Sequence, residues 1–420
     1  MIKLLVIADD FTGALDTGVQ FHAKGTVLHF GKDSDQYFSN LNEDINVLIV
    51  DSETRHLPAE EAGAVIFEIV QQAVQAGVKC IYKKTDSGLR GNIGSELAAA
   101  LKASGRESLH FIPAYPQLGR TTCGGIHYIN GVPVAESVFG ADPFEPVRYS
   151  DVGQIIAVQT DVKASLLRDA SEQQPGICVY DAESEEDLRC IADSLKQRDE
   201  LHLLAGCAGF AAVLPDLLGL ERVGEELPAM CPKLLTVCGS INRITLEQLD
   251  AAEEREVPRI RLNTRQKLEE HWLDSWEGQA VLAAWTELAK NHSSTIIECD
   301  GLGNPGELEE YRKEMGLDLE QMRCRISDTM AAILKNILDK GLDATLMVTG
   351  GDTLMAFMRR IGQHELVPIL ELTSGVVLSQ FHYKNKLYNL LSKSGGFGGK
   401  NLLAEIEEVL LENAKEEVIC

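Results

Sequence analysis

The stretch "KLLVIADDFTGALDTGVQ" (residues 3–20) changes character at its midpoint. Residues 3–8 are a short apolar run, which reads as a buried strand, and a helix-like segment follows at once. Asp9 and Asp10 stand at the junction. One aspartate there can cap the helix, since Asp, Asn, Ser and Thr are favoured at that position. Two adjacent carboxylates repel each other, so the pair asks for a partner.

The same alternation continues outward. "NVLIVD" (46–51), "VKCIYKK" (78–84) and "SLHFIPA" (108–114) read as buried strands, as do "GICVYDA" (176–182) and "LHLLAG" (201–206). "AEEAGAVIFEIVQQAVQAG" (59–77) and "GSELAAALKASG" (94–105) carry helical spacing. Strand–helix alternation implies a parallel sheet with helices on both faces. Proline, glycine and acids then cluster in "PDLLGLERVGEELPAMCPK" (215–233), a crossing segment, and the alternation restarts with "KLLTVCGS" (233–240). Strands "PRIRLN", "STIIECD" and "ATLMVTGG" (344–351) and the helix "NRITLEQLDAAEER" belong to this second part. The expected fold is α/β with two domains, 1–225 and 226–420, each a largely parallel or mixed sheet flanked by helices, with the active site in the interdomain cleft.

Composition narrows the function. A formal net charge of −25 argues against nucleic acid and anionic membrane as partners, because phosphate surfaces demand a basic face. Ten cysteines are scattered without a C-x-x-C pair, so no zinc site is expected and the thiols read as reduced and buried. The N-terminal apolar run is too short for a signal peptide. The longest apolar region (201–214) falls short of a membrane span, which needs about 20 residues. A cytoplasmic protein is expected.

In open parallel sheets, ligands sit outside the C-terminal ends of the strands. Four such ends here carry unusual polar residues: Asp9–Asp10; Asp51 and Arg55; Lys83, Lys84, Thr85, Asp86 and Arg90; Tyr115 and Arg120. Singly, each has a bland role open to it: Asp10 and Asp86 as caps, Arg55 as a surface charge. Lys83 and Lys84 point to opposite faces of a strand, so at most one need face a ligand. Together, acids beside Lys, Arg and Thr suit a polar, anionic, hydroxylated molecule. Cations hold its carboxylate, and an aspartate takes a hydroxyl proton as general base. Asp10 is the first choice for that base and Asp86 the second.

The second domain repeats a different pattern. "VTGGDTLMAF" (348–357) puts Gly350, Gly351, Asp352 and Thr353 where a strand turns into a helix. "SKSGGFGGKNLL" (392–403) supplies Gly395, Gly396, Phe397 and Gly398, and "CGSINRIT" (238–245) supplies Gly239 and Ser240. Glycine lets a backbone approach a ligand, and helix N-termini offer free N–H groups to an anion. Three such corners suggest a nucleotide phosphate site, although each alone could be a tight turn. None fits the Walker A spacing, and Asn401 stands where Ser or Thr would bind the metal. "GLGNPG" (301–306) fits a dinucleotide fingerprint literally, but helical sequence follows it where a second strand is needed.

With these residues in place, the sequence resembles the four-carbon acid sugar kinase family. "IADDFTGALDTGVQF", "KKTDSGLRGNIGSEL", "PAYPQLGRTT", "TGGDT" and "KSGGFGG" match family motifs in family order. The resemblance implies an N-terminal sugar-acid domain and a C-terminal nucleotide domain. It implies ATP and Mg²⁺ as cofactors and phosphorylation of the terminal hydroxyl of threonate, erythronate or 3-oxo-tetronate. It places Asp10, Arg55 and Lys83–Asp86 at the sugar acid, and Ser240, Gly350 and the Gly395–Gly398 loop at ATP. One departure is Ser374–Gly375, where related kinases often have Pro-Gly. "ALDTGVQF" and "GVVLSQ" look most like the threonate kinases, so D-threonate to 4-phospho-D-threonate is the expected reaction. Erythronate and 3-oxo-tetronate are the alternatives. The expected partners are the small-molecule sugar acid and ATP, and a homodimer is left open. An aspartyl phosphatase normally wants D-x-D-x-T, which the adjacent acids do not supply; a non-catalytic sugar-acid sensor is the other class.

Overall fold

The computed structural model describes residues 2–21, 23–31, 37–38, 44–142, 145–167, 174–224, 226–299 and 305–419. The chain divides into two compact units, Met1–Gly224 and Glu225–Cys420.

In the first unit the strands are β1 (Leu4–Ala8), β2 (Thr26–Phe30), β3 (Val47–Asp51), β4 (Cys80–Lys84) and β5 (Ser108–Ile112). A small antiparallel sheet follows: β6 (Arg120–Cys123), β7 (Ile126–Ile129) and β8 (Val132–Pro133). Strands β9 (Ala164–Leu167), β10 (Gly176–Tyr180) and β11 (Leu203–Gly206) complete the unit. The main sheet runs β2-β3-β1-β4-β11-β5-β10-β9, and its pairings are parallel. The chain leaves β1 towards β3 on one side and reaches β4 on the other. That reversal makes the C-terminal end of β1 a topological switch point, where open sheets bind ligands.

Helices α1 (Phe11–Gln20), α2 (Ala59–Gln75) and α3 (Ile93–Ser104) connect these strands. Side chains alternate across a strand, so one face presents Leu5, Ile7, Leu48, Val50 and Ile81. These pack with Ile66, Ile69 and Val70 of α2 and Ile93 and Leu97 of α3. On the other face, Tyr82 stacks on Phe210 with ring centroids 6.4 Å apart and donates to the Cys207 carbonyl at 2.6 Å. The alternation therefore sends Lys83 towards α3 and Lys84 towards α1.

The second unit holds β12 (Leu234–Cys238), β13 (Arg259–Arg261), β14 (Ser294–Glu298), β15 (Thr345–Thr349), β16 (Glu365–Thr373), β17 (Val376–Tyr383) and β18 (Lys386–Lys393). The order is β13-β14-β12-β15-β18-β17-β16. The first five are parallel neighbours, and β18-β17-β16 is an antiparallel meander. The α/β class with helix-flanked sheets is thus observed, and the second sheet is mixed. The meander departs from the strand–helix rhythm. Its β17–β18 turn places Lys384 and Asn385 at φ 47° and 62°, the left-handed pair that a two-residue hairpin requires.

Residues 301–304 of "GLGNPG" lie outside the described residues. The helices Pro305–Glu314 and Leu319–Asp339 come next, with no strand among the described residues before β15. Among the described residues, no helix is long and apolar enough to cross a membrane, and no three His, Cys, Asp or Glu side chains are grouped to hold a metal ion.

Candidate active site

In the first unit the parallel register aligns Asp51, Ala8 and Lys84 at adjacent strand ends. The loops beyond them carry the site. Asp10 caps α1: its Oδ1 accepts from the Gly13 N–H at 3.2 Å. The same oxygen accepts from Arg55 Nη2 at 2.5 Å and lies 3.4 Å from Lys84 Nζ. Capping and site membership are therefore compatible, because all three contacts fall on one oxygen. The Asp10 side chain keeps 25% of its surface exposed, against 3% for Asp9.

Asp9 is the buried member. It accepts from Arg55 Nε at 2.7 Å, and Lys84 Nζ lies 3.7 Å from its other oxygen. Burial pushes the Asp9 carboxyl up, but Arg55 and the two lysines overturn that and hold it below the usual carboxylate range. Arg55 is likewise buried, and Asp10, Asp9 and Asp86 hold its guanidinium charged against the cost of burial. Lys84 is raised in the same way by Asp10 and Asp9. The two acids that repel in sequence are glued by two cations.

Asp86 anchors the "TDSGLRGN" loop. Its Oδ2 accepts from the Gly88 and Arg90 N–H groups and from Arg90 Nε at 2.9 Å, and its Oδ1 accepts from Arg90 Nη2 at 3.0 Å. Burial works to raise its pKa, but Arg55 and Arg90 hold it well below the usual range. Arg90 also donates to Asp142 at 3.1 Å and sits 5.0 Å over the Phe139 ring. Leu89 takes φ 61° with its side chain buried, a left-handed conformation that costs a non-glycine residue about 1–2 kcal/mol. Thr85 is fully buried, and its hydroxyl has no hydrogen-bond partner among the described residues.

Lys83 stands apart from this cluster. Its ammonium is 0% exposed, 2.8 Å from Glu96 of α3, and donates to the Lys84 carbonyl at 2.7 Å. The strand pleat that turns Lys84 to the acids turns Lys83 into the core. Four supports were not evident from sequence. Asn92 donates to the carbonyls of Thr54 and Leu57 at 2.9 and 2.8 Å, tying the Arg55 loop to α3. Glu96 pairs with Lys83, and Arg90 with Asp142. Asp51, named only as a strand-end acid, is 1% exposed; burial, Glu53 and Asp10 push its pKa well up.

In the second unit the register aligns Cys238, Thr349 and Lys393. The glycine corners follow directly. A Cβ on Gly239 would lie 1.8 Å from Thr353 Oγ1, and one on Gly395 2.9 Å from Ser240 Oγ. One on Gly350, whose φ is 104°, would lie 3.4 Å from the Gly239 carbonyl carbon. The three corners therefore meet. Gly351 starts the helix Gly351–Arg360, whose N-terminal N–H groups face an anion favourably. Gly396 does not take a left-handed φ, and a Cβ there would find only Asn242, at 4.0 Å. Nothing among the described residues requires glycine at that position, which fits a surface that a ligand approaches closely. Ser374–Gly375 keeps what matters, since Gly375 takes φ 75° and its Cα carries the Phe397 ring. Asp352 pairs with Arg323 at 2.7 Å.

Lys393 is the residue that sequence reading missed here. It is 3% exposed and donates to Thr245 Oγ1 and the Ser394 carbonyl, both at 3.0 Å, with Gly395 O at 3.4 Å. Burial lowers its pKa to about 8. The lysine stood in the quoted "SKSGG" motif, but its inward direction follows from the β18 pleat, which no spacing in that motif reveals.

Comparisons with known proteins cover both parts of the chain. Residues 4–214 match the family model described as a sugar-binding N-terminal domain, and residues 235–403 match the nucleotide-binding C-terminal domain. A D-threonate kinase of Salmonella typhimurium is 29% identical, covering 96% of this chain and 97% of its own. A D-erythronate kinase of Heliobacterium modesticaldum is 25% identical over 99% of both, and a 3-oxo-tetronate kinase of Pseudomonas fluorescens is 27% identical over 95% of both. Among solved structures, a Haemophilus influenzae protein shares the fold with a TM-score of 0.73 at 22% identity, over 97% of this chain and 100% of its own. On its motifs, its two domain matches and its full-length relatives, the chain belongs to the four-carbon acid sugar kinase family.

Proposed function

We propose that the protein transfers the γ-phosphoryl group of ATP to the C4 hydroxyl of a four-carbon sugar acid, D-threonate giving 4-phospho-D-threonate. The observation that carries this reading is the state of Asp10. Gly13, Arg55 and Lys84 fix one oxygen, while the side chain remains a quarter exposed. A carboxylate fixed in direction and still open to solvent is equipped to orient a hydroxyl and take its proton as the hydroxyl attacks. Asp86, with both oxygens bonded to the Arg90 guanidinium, serves better as a frame than as a base. Thr85 offers a buried hydroxyl to the ligand's own hydroxyls, and Arg55 and Lys84 balance the acids around it.

ATP is proposed on the corners formed by Gly239, Ser240, Gly350–Thr353 and Gly395–Gly398, with Lys393 beneath. Mg²⁺ would neutralise negative charge that develops on the transferring phosphoryl group. Its usual mode of binding, largely through phosphates and water, needs no protein cage. The chain's own part is then positioning and electrostatics.

The relatives named for D-threonate support that acid first; D-erythronate and 3-oxo-tetronate are the second reading, supported by relatives of similar identity. A coupled assay of ADP release over D- and L-threonate, D- and L-erythronate and the 3-oxo-tetronates tests both. Release that requires Mg²⁺ and one of these acids supports the proposal. No ADP with any of them, or phosphate release without ATP, refutes it.

A further inference from the structure

We propose that Arg120 is the receptor for the substrate's carboxylate; this rests on the sugar-acid reading above. The cations first expected in that role already have carboxylates of their own. Arg55 is bonded to Asp9 and Asp10, Lys83 to Glu96, Lys84 lies between Asp10 and Asp9, and Arg90 is bonded to Asp86 and Asp142. Arg120 differs from them. No ion pair to it occurs among the described residues, its Nη1 donates only to the Leu118 carbonyl, and its Nε is buried without an acceptor.

Its place is fixed by the backbone. Tyr115 and Arg120 exchange two hydrogen bonds, Tyr115 N to Arg120 O at 2.7 Å and Arg120 N to Tyr115 O at 3.0 Å. Gly119, at φ 67°, closes the turn between them. The guanidinium lies 5.9 Å from the Phe139 ring, the ring that also carries Arg90. Arg90, over the same ring, is bonded to Asp86, which puts Arg120 on the Asp86 side of the cluster. Arginine stays charged when half-buried, so an unpaired guanidinium there is costly until an anion arrives. A carboxylate matches its planar donors two at a time. With the acid end held by Arg120, the far end of a four-carbon chain is the hydroxyl left for Asp10. The "GRT" segment (residues 119–121) thus sets which end of the substrate is phosphorylated.

The test compares the sugar acid with its neutral tetritol, in which a hydroxymethyl group replaces the carboxylate. Wild type, Arg120→Gln and Arg120→Lys are assayed for ADP release, and calorimetry measures binding of both compounds. Arg120→Gln is expected to weaken the acid by about 10–100-fold in KM and Kd, the range for a bond to a charged group. Tetritol binding and turnover are expected to change less than about 3-fold, so the acid-over-tetritol preference collapses; Arg120→Lys should recover part of it. Equal losses for both compounds, or a preference intact in Arg120→Gln, would overturn the proposal. A wild type that binds threonate but releases no ADP would sink the kinase reading alone, since the calorimetric comparison still decides Arg120. A wild type that binds no sugar acid would sink both. Circular dichroism melting controls for folding; Arg120→Lys supplies the second variant if Arg120→Gln unfolds.

Discussion

Lys84 and Gly13 compete for one volume: a Cβ on Gly13 would lie 1.9 Å from the Lys84 ammonium. The first turn of α1 has glycine at this point so that a lysine from the neighbouring strand can reach Asp10 across it.

Gly13→Ala tests this relation against ordinary helix propensity, which favours alanine by about 1 kcal/mol. The expected result is the opposite sign, a loss of about 1–3 kcal/mol from overpacking. A fall in kcat/KM of at least about tenfold should accompany it as Lys84 is displaced. Urea unfolding and steady-state kinetics give the two numbers. A stabilised, fully active variant would mean that Lys84 does not reach Asp10 across this glycine.

The adjacent acids should fail differently. Asp10→Asn is expected to fold normally and lose about 10²–10⁴ in kcat, the worth of a general base. Asp9→Asn leaves Arg55 with less compensation in a buried site, so it should lose about 3–5 kcal/mol of stability. Paired melting curves and rates for the two variants separate them; equal rate losses at equal stability would contradict the assignment.

Lys83 was expected at the substrate, and its pairing with Glu96 predicts a core role instead. Lys83→Met alone should cost about 3–5 kcal/mol, while Lys83→Met with Glu96→Leu should restore most of it. The double variant is expected to keep KM for the sugar acid within about threefold. A tenfold rise in KM at restored stability would return Lys83 to the substrate.

Acid sensitivity follows from Asp9 and Asp86. Both are held below the unfolded value of 3.8, so their contribution is present above pH 4 and is lost as pH falls through their folded values. Asp51 acts in the other direction: its raised value means its contribution is largest in acid and fades as pH rises above 3.8. Urea midpoints should therefore fall as pH drops from about 4 to 2, less steeply in Asp86→Asn; from about pH 7 to 4, Asp51→Asn should remove the gain that Asp51 contributes on acidification. An unchanged slope in Asp86→Asn would remove it from the account.

Lys393 gives an alkaline signature. An anion favours its charged form, so ADP affinity should decline as pH rises through about 8. Calorimetry from pH 7 to 9.5 should show that decline in wild type and a flatter, weaker profile in Lys393→Met. A parallel decline in both would assign the titration elsewhere.

The parallel core was legible because fully buried strands such as "LLVIA" and "LLTVC" are unbroken apolar runs bounded by polar residues, and both became strands as read. Strand β2 was not, because "TVLHF" alternates buried and half-buried residues over a short span. The meander was hidden by Pro368 in the middle of β16, a residue that argues against a strand until its pairing with Ser379 is seen. At the site, Asp10, Arg55, Lys84, Thr85 and Asp86 gather as their strand-end positions implied. What sequence could not give was the division of labour among like residues. Asp9 and Asp10 differ in exposure, and Lys83 and Lys84 in face, and both differences come from the pleat and the packing of α1 and α3.

The meeting of Gly239, Gly350 and Gly395 has a consequence for how this chain can change. A surface made of main-chain amides is written in the absence of side chains. Peptide groups do not titrate in the physiological range, and they are chemically the same in every sequence. Drift can rewrite the surroundings while the amide surface persists, provided no side chain grows into it.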